Sequence, residues 1–365
     1  MNKKTPVLEK TNSAQASMTA AKSARKIIRF LTRKKESLSP LLILTHDYPD
    51  PDALASAYAL HDMAEQAFGI QSRIAYGGII GRVENRSMVN ILKLPIHKLR
   101  PGDFKKYSNI ALMDTQPGFE NNSFPVNRRP VLIIDQHPYV TKPEAGLTII
   151  DPDCGATCVI LAQALLILKM EIHAPVATAL AYGILTDTLN LYRSPRPDVI
   201  KTYLDILRFC DMRALAKIQN PVRSRRFFAT VDKGIQQAMM KRGLMVSKLG
   251  DVESPDLVAQ VADFLLTYKG ANWAVCLGRY KGRLHVSLRM EKSQVTASEI
   301  LRDVFLDRRD AGGHDVIAGG SFHVGQKAAE NIWEEAENQL IERLLKRLRI
   351  PLKGDFYYPF RQKTA

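Results

Sequence analysis

Leu41-Leu42-Ile43-Leu44-Thr45-His46-Asp47-Tyr48-Pro49-Asp50-Pro51-Asp52-Ala53-Leu54-Ala55-Ser56 begins as a short apolar run, the pattern of a buried β-strand. It then turns through Pro49 and Pro51 and enters an Ala/Leu-rich helix. His46, Asp50 and Asp52 sit at this strand-to-helix turn. In an open α/β sheet, ligands bind at the carboxyl ends of the strands, where such turns lie. Imidazole and carboxylates gathered there suit Mn2+ or a similar divalent ion. The plainer alternative is an ordinary loop in which Asp52 caps the helix. That accounts for one acid, not for a histidine and two aspartates around a Pro-Asp-Pro turn.

Outward from this stretch, residues 41 to about 190 alternate strand and helix patterns. Strands are expected at Leu41–Thr45, Ser72–Tyr76, Ile110–Met113, Val131–Ile134 and Leu147–Ile150. Several are continuous apolar runs, as parallel strands buried on both faces require. Helices are expected at Asp52–Phe68, Glu84–Leu92, Ala156–Lys169 and Pro175–Thr186. The sum is a doubly wound α/β domain. Acids fall at the ends of these runs: Asp114 after Ile110–Met113, Asp135 after Val131–Ile134, Asp151 after Leu147–Ile150, and Asp187 at the end of an apolar helix. Parallel strands bring their carboxyl ends to one edge, so these side chains can converge. Converging carboxylates repel unless cations neutralise them, and a two-metal site both solves this and drives phosphoryl transfer.

His46-x-x-Pro49-Asp50-x-Asp52 with Ala53-Leu54-Ala55-Ser56 resembles the first motif of the DHH phosphoesterase superfamily. Asp114-Thr115 resembles its second motif, Asp135-Gln136-His137 its third, and Gly183-Ile184-Leu185-Thr186-Asp187-Thr188 its fourth. Order and spacing agree over roughly residues 40–190. The resemblance implies a Mn2+-dependent phosphoesterase, with Mg2+ or Co2+ as substitutes, that hydrolyses phosphodiester or phosphomonoester bonds with water activated between two ions. It implies His46, Asp50 and Asp114 at one ion and Asp52, Asp114, Gln136 and Asp187 at the other, with Asp114 shared. Asp135 is implied as an orienting residue and His137 as a contact to the scissile phosphate or an activated water. One departure stands out: the family's middle histidine is Gln136 here, and a neutral amide is a poorer donor to Mn2+ than imidazole.

Between these motifs, Gly77-Gly78-Ile79-Ile80-Gly81-Arg82 leads into a helix start. Such a turn can present backbone N–H groups to an anion, with Arg82 and Arg86 adding bidentate phosphate contacts. A turn with surface arginines is the alternative. No Walker signature follows it.

The second half changes character. Arg193-Ser194-Pro195-Arg196-Pro197 breaks the pattern, and a helical linker is expected over 194–242. Within it, Arg223, Arg225 and Arg226 precede Phe227-Phe228. That cluster suits nucleic-acid backbone and base stacking, or simply a solvated linker helix. From 243 to 350 a smaller α/β domain is expected, with strands at Leu244–Ser247, Trp273–Leu277 and Leu284–Leu288 and a helix at Asp256–Tyr268. It contains Ala311-Gly312-Gly313-His314-Asp315-Val316-Ile317-Ala318-Gly319-Gly320. Glycine at this density marks a backbone that approaches something closely. The loop resembles that of the DHH-associated C-terminal domain, DHHA1, with Ala311 in place of the first glycine. Ser287-Leu288-Arg289 resembles that domain's upstream motif. This implies Arg289, Gly312, Gly313 and His314 as substrate contacts in a cleft between two α/β domains. The closing helix should pack through Trp333, Leu340, Leu344 and Leu345, before a tail over 351–365.

The chain of 365 residues is 45% hydrophobic, enough for two cores. Its net charge is +15, which favours a polyanionic partner. Residues 1–36 hold ten basic residues against two acidic ones. This basic leader, 1–38, starts without order-promoting composition and becomes a plausible helix from about Ala14 to Glu36. It either packs on the core as a solvated helix or contacts nucleic acid or membrane. The four cysteines form no CxxC pair, which argues against a zinc site and fits a reducing cytosol. No apolar run reaches bilayer length, and the N-terminus lacks a hydrophobic signal core. A cytoplasmic enzyme is expected, acting on a short oligonucleotide, nucleotide or other phosphate ester, with a homodimer left open. The rival is a catalytically weakened nucleotide- or nucleic-acid-binding protein, since Gln136 interrupts the metal set.

Overall fold

The computed structural model describes residues 19–361, except Glu120, Val140, Ser194, Pro195, Lys292, Ser293, His314 and Asp315. The chain divides into two compact units between Pro221 and Val222. The first opens with α1 (Ala20–Leu38) and continues β1 (Leu41–Thr45), α2 (Pro51–Phe68), β2 (Ser72–Tyr76), α3 (Val83–Leu92), β3 (Ile96–Lys98), α4 (Asp103–Lys106), β4 (Asn109–Met113), β5 (Leu132–Asp135) and β6 (Leu147–Ile150). It closes with α5 (Thr157–Leu168), α6 (Ala174–Asp187), α7 (Pro197–Leu207) and α8 (Met212–Gln219).

All strand pairings in this unit are parallel, and the spatial order is β3-β2-β1-β4-β5-β6. That is the doubly wound order, with its switch point between the first and fourth strands. Leu41, Leu42, Ile43 and Leu44 are fully buried, so β1 is covered on both faces, as its unbroken apolar run requires. The pairing of Thr45 with Met113 puts His46 and Asp114 side by side, each one residue beyond its strand.

α2 begins where its sequence says it should. Asp50 is the N-cap and accepts from the Ala53 N–H at 3.0 Å. Pro51 occupies the first helical position, where its missing N–H costs nothing. Gly69 ends the helix in the left-handed conformation. The capping role is thus Asp50's, not Asp52's. α2 lies against α6 at Gly183. A Cβ there would sit 2.5 Å from Cys158 Sγ and 3.2 Å from Asp52 Cα, so only glycine permits this approach.

α1 packs its apolar side, Ala20, Ala24, Ile27 and Leu31, into the same core. Its outer side carries Lys22, Arg25, Lys26, Arg29 and Arg33, all exposed. Spacings of three and four residues align them in one stripe. The Ala20 N–H donates to Asp198 at 3.2 Å.

The second unit runs α9 (Arg225–Gln236), β7 (Met239–Lys241), β8 (Leu244–Asp251), α10 (Pro255–Leu266), β9 (Trp273–Tyr280), β10 (Arg283–Met290), α11 (Ala297–Val304), β11 (Ala311–Gly313), β12 (Ile317–His323) and α12 (Glu330–Arg347). Its sheet order is β11-β12-β10-β9-β8-β7. β8 and β9 are parallel through the α10 crossover, and the other pairs are antiparallel. Trp333, Leu340, Leu344 and Leu345 of α12 are buried in this unit's core. Of residues 194–242, α7 and α8 belong to the first unit and α9 to the second. Among the described residues no helix is long and apolar enough to cross a membrane.

Candidate functional site

The ends of β1, β4 and β5 and the start of α2 bring an imidazole and carboxylates together at the switch point. His46 Nε2 lies 3.8 Å from Asp50 Oδ1 and 3.7 Å from Asp114 Oδ2. His46 Nδ1 is 2.8 Å from the Asp47 carbonyl. That carbonyl can only accept, so Nδ1 carries a hydrogen. Nε2, facing the two acids, is a donor when the ring is protonated, a form that burial opposes and Asp50 favours, and has a lone pair for a cation when the ring is neutral. Asp114 is 1% exposed. Its Oδ2 is buried and has no hydrogen-bond partner among the described residues. A buried carboxylate oxygen left without a donor is costly, and a cation between it and His46 removes that cost. The residues present therefore fit a divalent ion.

Asp114 has a left-handed backbone, φ +57°. Aspartate tolerates this better than most side chains, and such local strain clusters at functional sites. Its Oδ1 accepts from the Thr157 hydroxyl at 2.9 Å. Thr157 Oγ1 in turn accepts from the Gln136 N–H at 3.1 Å, and the Thr157 N–H donates to Asp52 Oδ2 at 2.7 Å. One threonine at the first position of α5 thus joins three of the sequence-expected residues.

Asp52 is fully buried. Its oxygens accept from the N–H groups of Thr157 and Cys158, both at 2.7 Å, and from Ser56 Oγ at 3.3 Å. It sits at the positive end of α5, beside the His46–Asp50–Asp114 group. The Gln136 side-chain amide donates to Asp187. His137 Nδ1 pairs with Asp135 Oδ1 at 2.8 Å and lies 3.6 Å from Asp114 Oδ1. Gln116 Nε2 donates to Asp135 Oδ2 at 2.8 Å and to the His137 carbonyl at 2.7 Å, which fixes that arm from behind.

The electrostatics follow from crowding. Burial, then the charges of Asp52, Asp50, Asp135 and Asp187, raise the Asp114 carboxyl well above its ordinary range. Burial and the charges of Asp50 and Asp52 do the same to Asp187, against the Gln136 hydrogen bond. Burial and Asp50 push Asp52 up to about 6. Asp50 goes the other way, because His46 outweighs its desolvation. His137 is raised, the Asp135 partner outweighing burial.

The other sequence-expected residues have partners of their own. Asp151, at the end of β6, pairs with Arg196 at 3.1 Å and so does not join the convergence of strand-end acids. Arg82 and Arg86 are exposed, and Arg86, on α3, donates to the carbonyls of Ile80 and Gly81 in the preceding loop. In the second unit, Arg289 is 4% exposed. It pairs with Asp263 and donates to Ser287 Oγ at 2.8 Å. Gly312 and Gly313 form β11 against Gly319 and Ala318. A Cβ on Gly313 would meet the Ile317 carbonyl at 2.2 Å, which is the close approach the glycine density predicts. His314 lies outside the described residues. Arg223 donates to Gln260 and stacks over Phe227, and Arg226 pairs with Glu253, so part of that basic cluster is spent within its unit.

Sequence reading misses Thr157 and Gln116. Thr157 carries a usable signal, a hydroxyl residue opening an apolar helix, but that reads equally as a helix start. Gln116 lies two residues after Asp114, too common a pattern to single out.

The model of the DHH family, N-terminal domain, matches residues 40–184, and that of the DHHA1 domain matches residues 241–346. An uncharacterized protein of Methanocaldococcus jannaschii is 32% identical over 315 residues, 86% of this chain. The bifunctional oligoribonuclease and PAP phosphatase NrnA of Thermus thermophilus is 28% identical over 180 residues, 47% of this chain. The matches cover 64% and 50% of these relatives' own lengths. An exopolyphosphatase-related protein from Bacteroides fragilis shares the fold, with a TM-score of 0.69 at 16% identity over 89% of this chain and 97% of that one.

Proposed function

This chain joins a DHH family N-terminal domain, over residues 40–184, to a DHHA1 domain, over residues 241–346, and on that premise we propose that it is a divalent-cation-dependent phosphoesterase acting on short oligonucleotides or nucleotides. The observation that carries the reading is Asp114 Oδ2, buried without a donor among the described residues and facing His46 Nε2 at 3.7 Å. His46, Asp50 and Asp114 would hold the cation. Two carboxylates and an imidazole suit Mn2+, with Mg2+ or Co2+ as substitutes. Such an ion would polarise a phosphoryl oxygen and acidify a bound water.

The chain's own residues supply orientation and proton handling. Thr157 fixes the Asp114 carboxylate, and Gln116 fixes Asp135. Asp135 holds His137 through Nδ1 and favours its protonated form. A protonated His137 would hold an oxygen of the scissile phosphate and offset its charge. In the DHHA1 domain, Arg289 is the proposed anion contact, released from Asp263 when a phosphate competes for it. The α1 stripe of Lys22, Arg25, Lys26, Arg29 and Arg33 supplies a further backbone contact for a longer strand. The substrate class follows the Thermus thermophilus relative, named for oligoribonucleotide and PAP hydrolysis.

The test is a panel of dinucleotides, short oligoribonucleotides, 3′-phosphoadenosine 5′-phosphate and polyphosphate, each incubated with the protein and Mn2+. Turnover of at least one nucleotide substrate, lost in a folded Asp114→Ala variant, is expected. Absence of product from every substrate at every Mn2+ concentration would refute catalysis. Nucleotide binding without turnover would then favour the binding-protein reading, to which the Gln136–Asp187 hydrogen bond lends support.

A further inference from the structure

The acids at the switch point do not form one uniform cluster. They divide according to what faces them. In one half, His46 Nε2, Asp50 Oδ1 and Asp114 Oδ2 face one another across 3.7 and 3.8 Å. With the imidazole neutral, its one hydrogen lies on Nδ1 against the Asp47 carbonyl, so all three can present lone pairs to a cation. In the other half, donors already face the acids. Asp187 receives the Gln136 amide. Asp52 receives two backbone N–H groups from the first turn of α5, at 2.7 Å each.

Gln136 is itself held, because its backbone N–H is bound to Thr157 Oγ1 at 3.1 Å. A primary amide has an acceptor end and a two-hydrogen donor end. Here the donor end meets the carboxylate. An imidazole nitrogen or a carboxylate at position 136 would bring a lone pair there instead. A third grouping, Asp114 with Asp135 and His137, is close enough by distance. Its histidine, however, directs Nδ1 at Asp135 at 2.8 Å, so that nitrogen is spent as a hydrogen-bond donor.

We infer that the cluster holds one divalent cation tightly, at His46, Asp50 and Asp114, and that the Gln136 amide takes the place of a second cation beside Asp187. This rests on the reading of the site as a divalent-cation centre. A second ion has to displace a charge-assisted hydrogen bond and accept a poorer ligand set. Its affinity should fall about 10–100-fold below that of the first, the range seen when groups that support a metal site are altered.

The experiment uses the full chain, stripped with chelator, and Mn2+ alone as the probe. Equilibrium dialysis with elemental analysis counts bound ions, and electron paramagnetic resonance distinguishes an isolated Mn2+ from an exchange-coupled pair. Wild type should bind one tight equivalent with an uncoupled signal. Gln136→His and, independently, Gln136→Glu should bind two and show coupling. Two tight equivalents in wild type overturn this inference and leave the cation centre standing. Variants that fold, by circular dichroism, yet remain at one equivalent overturn the role given to Gln136. No tight Mn2+ in folded wild type removes the cation centre itself. The wild-type count decides the inference even where a variant fails to fold.

Discussion

Thr157→Val removes one hydroxyl and nearly preserves shape, so it leaves no cavity. Two hydrogen bonds go with it: the one to Asp114 Oδ1 at 2.9 Å and the one from the Gln136 N–H at 3.1 Å. The first, to a carboxylate, is worth about 1.5–3 kcal/mol and the second about 0.5–1.5 kcal/mol. Asp114 is buried and Gln136 half-buried, so the metal-free protein should lose about 2–4 kcal/mol of unfolding free energy. The backbone N–H of residue 157 still reaches Asp52, so α5 should keep its start. With Asp114 no longer aimed, Mn2+ affinity should fall about 10–100-fold. Thr157→Ser keeps the hydroxyl and should recover most of both losses. Urea unfolding of the stripped protein gives the first quantity and calorimetric titration with Mn2+ the second. A valine variant within about 0.5 kcal/mol of wild type, titrating with the same affinity, would show that Thr157 is a bystander.

Three further outcomes are expected. Burial raises the Asp198 carboxyl, but Arg196 and the Ala20 N–H outweigh it and hold the group below its ordinary value. Its contribution is therefore complete above the unfolded pKa of about 3.9 and is lost as pH falls through the lower folded value. Hydrogen exchange at the start of α1 should accelerate in that acid window, and an Asp198→Asn variant whose stability profile overlays wild type there would count against the anchor. Reversing Lys22, Arg25, Lys26, Arg29 and Arg33 to glutamate should weaken binding of a long single-stranded oligonucleotide and flatten its salt dependence by about 0.7 per lost phosphate contact; an unchanged slope in a fluorescence titration would rule out the stripe as a backbone contact. Gly183→Ala forces a Cβ to 2.5 Å from Cys158 Sγ on α5 and 3.0 Å from the Pro51 carbonyl on α2 and should cost about 1–3 kcal/mol by overpacking; unaltered thermal unfolding would mean that α2 and α5 can move away from α6 freely.

The parallel core is legible in the sequence because a strand buried on both faces must be apolar throughout. β1, β4 and β5 show this, whereas β2 and β6, nearer the sheet's edges, carry Ser72, Arg73 and Thr148 and are only partly buried. β3 is three residues long, too short for any periodic pattern. Strand-end acids are legible as a class, since parallel strands share a carboxyl edge, but individual side-chain directions are not. Asp151 obeys the strand-end rule and still turns away, because Arg196 lies 45 residues on in sequence but adjacent in space. Asp52 looks like a free ligand until α5 arrives with two unpaired N–H groups, a partner 105 residues distant. The Gln136 substitution is plain in the sequence, but which end of the amide meets Asp187 is set by tertiary packing alone.

The helix crossing at Gly183 has a thermodynamic consequence. It leaves no slack between the first turn of α2, which carries Asp50 and Asp52, and α6, which carries Asp187. The spacing of the acids is therefore fixed by helix packing before any ion arrives, and binding adds no new folding. Metal sites that assemble on binding convert their affinity into folding free energy and show large negative heat-capacity changes as apolar surface is buried. A site pinned by a glycine contact should show neither. Its cation enters as pure charge compensation, with heat capacity almost unchanged, and relieves a repulsion that the packed helices have already imposed.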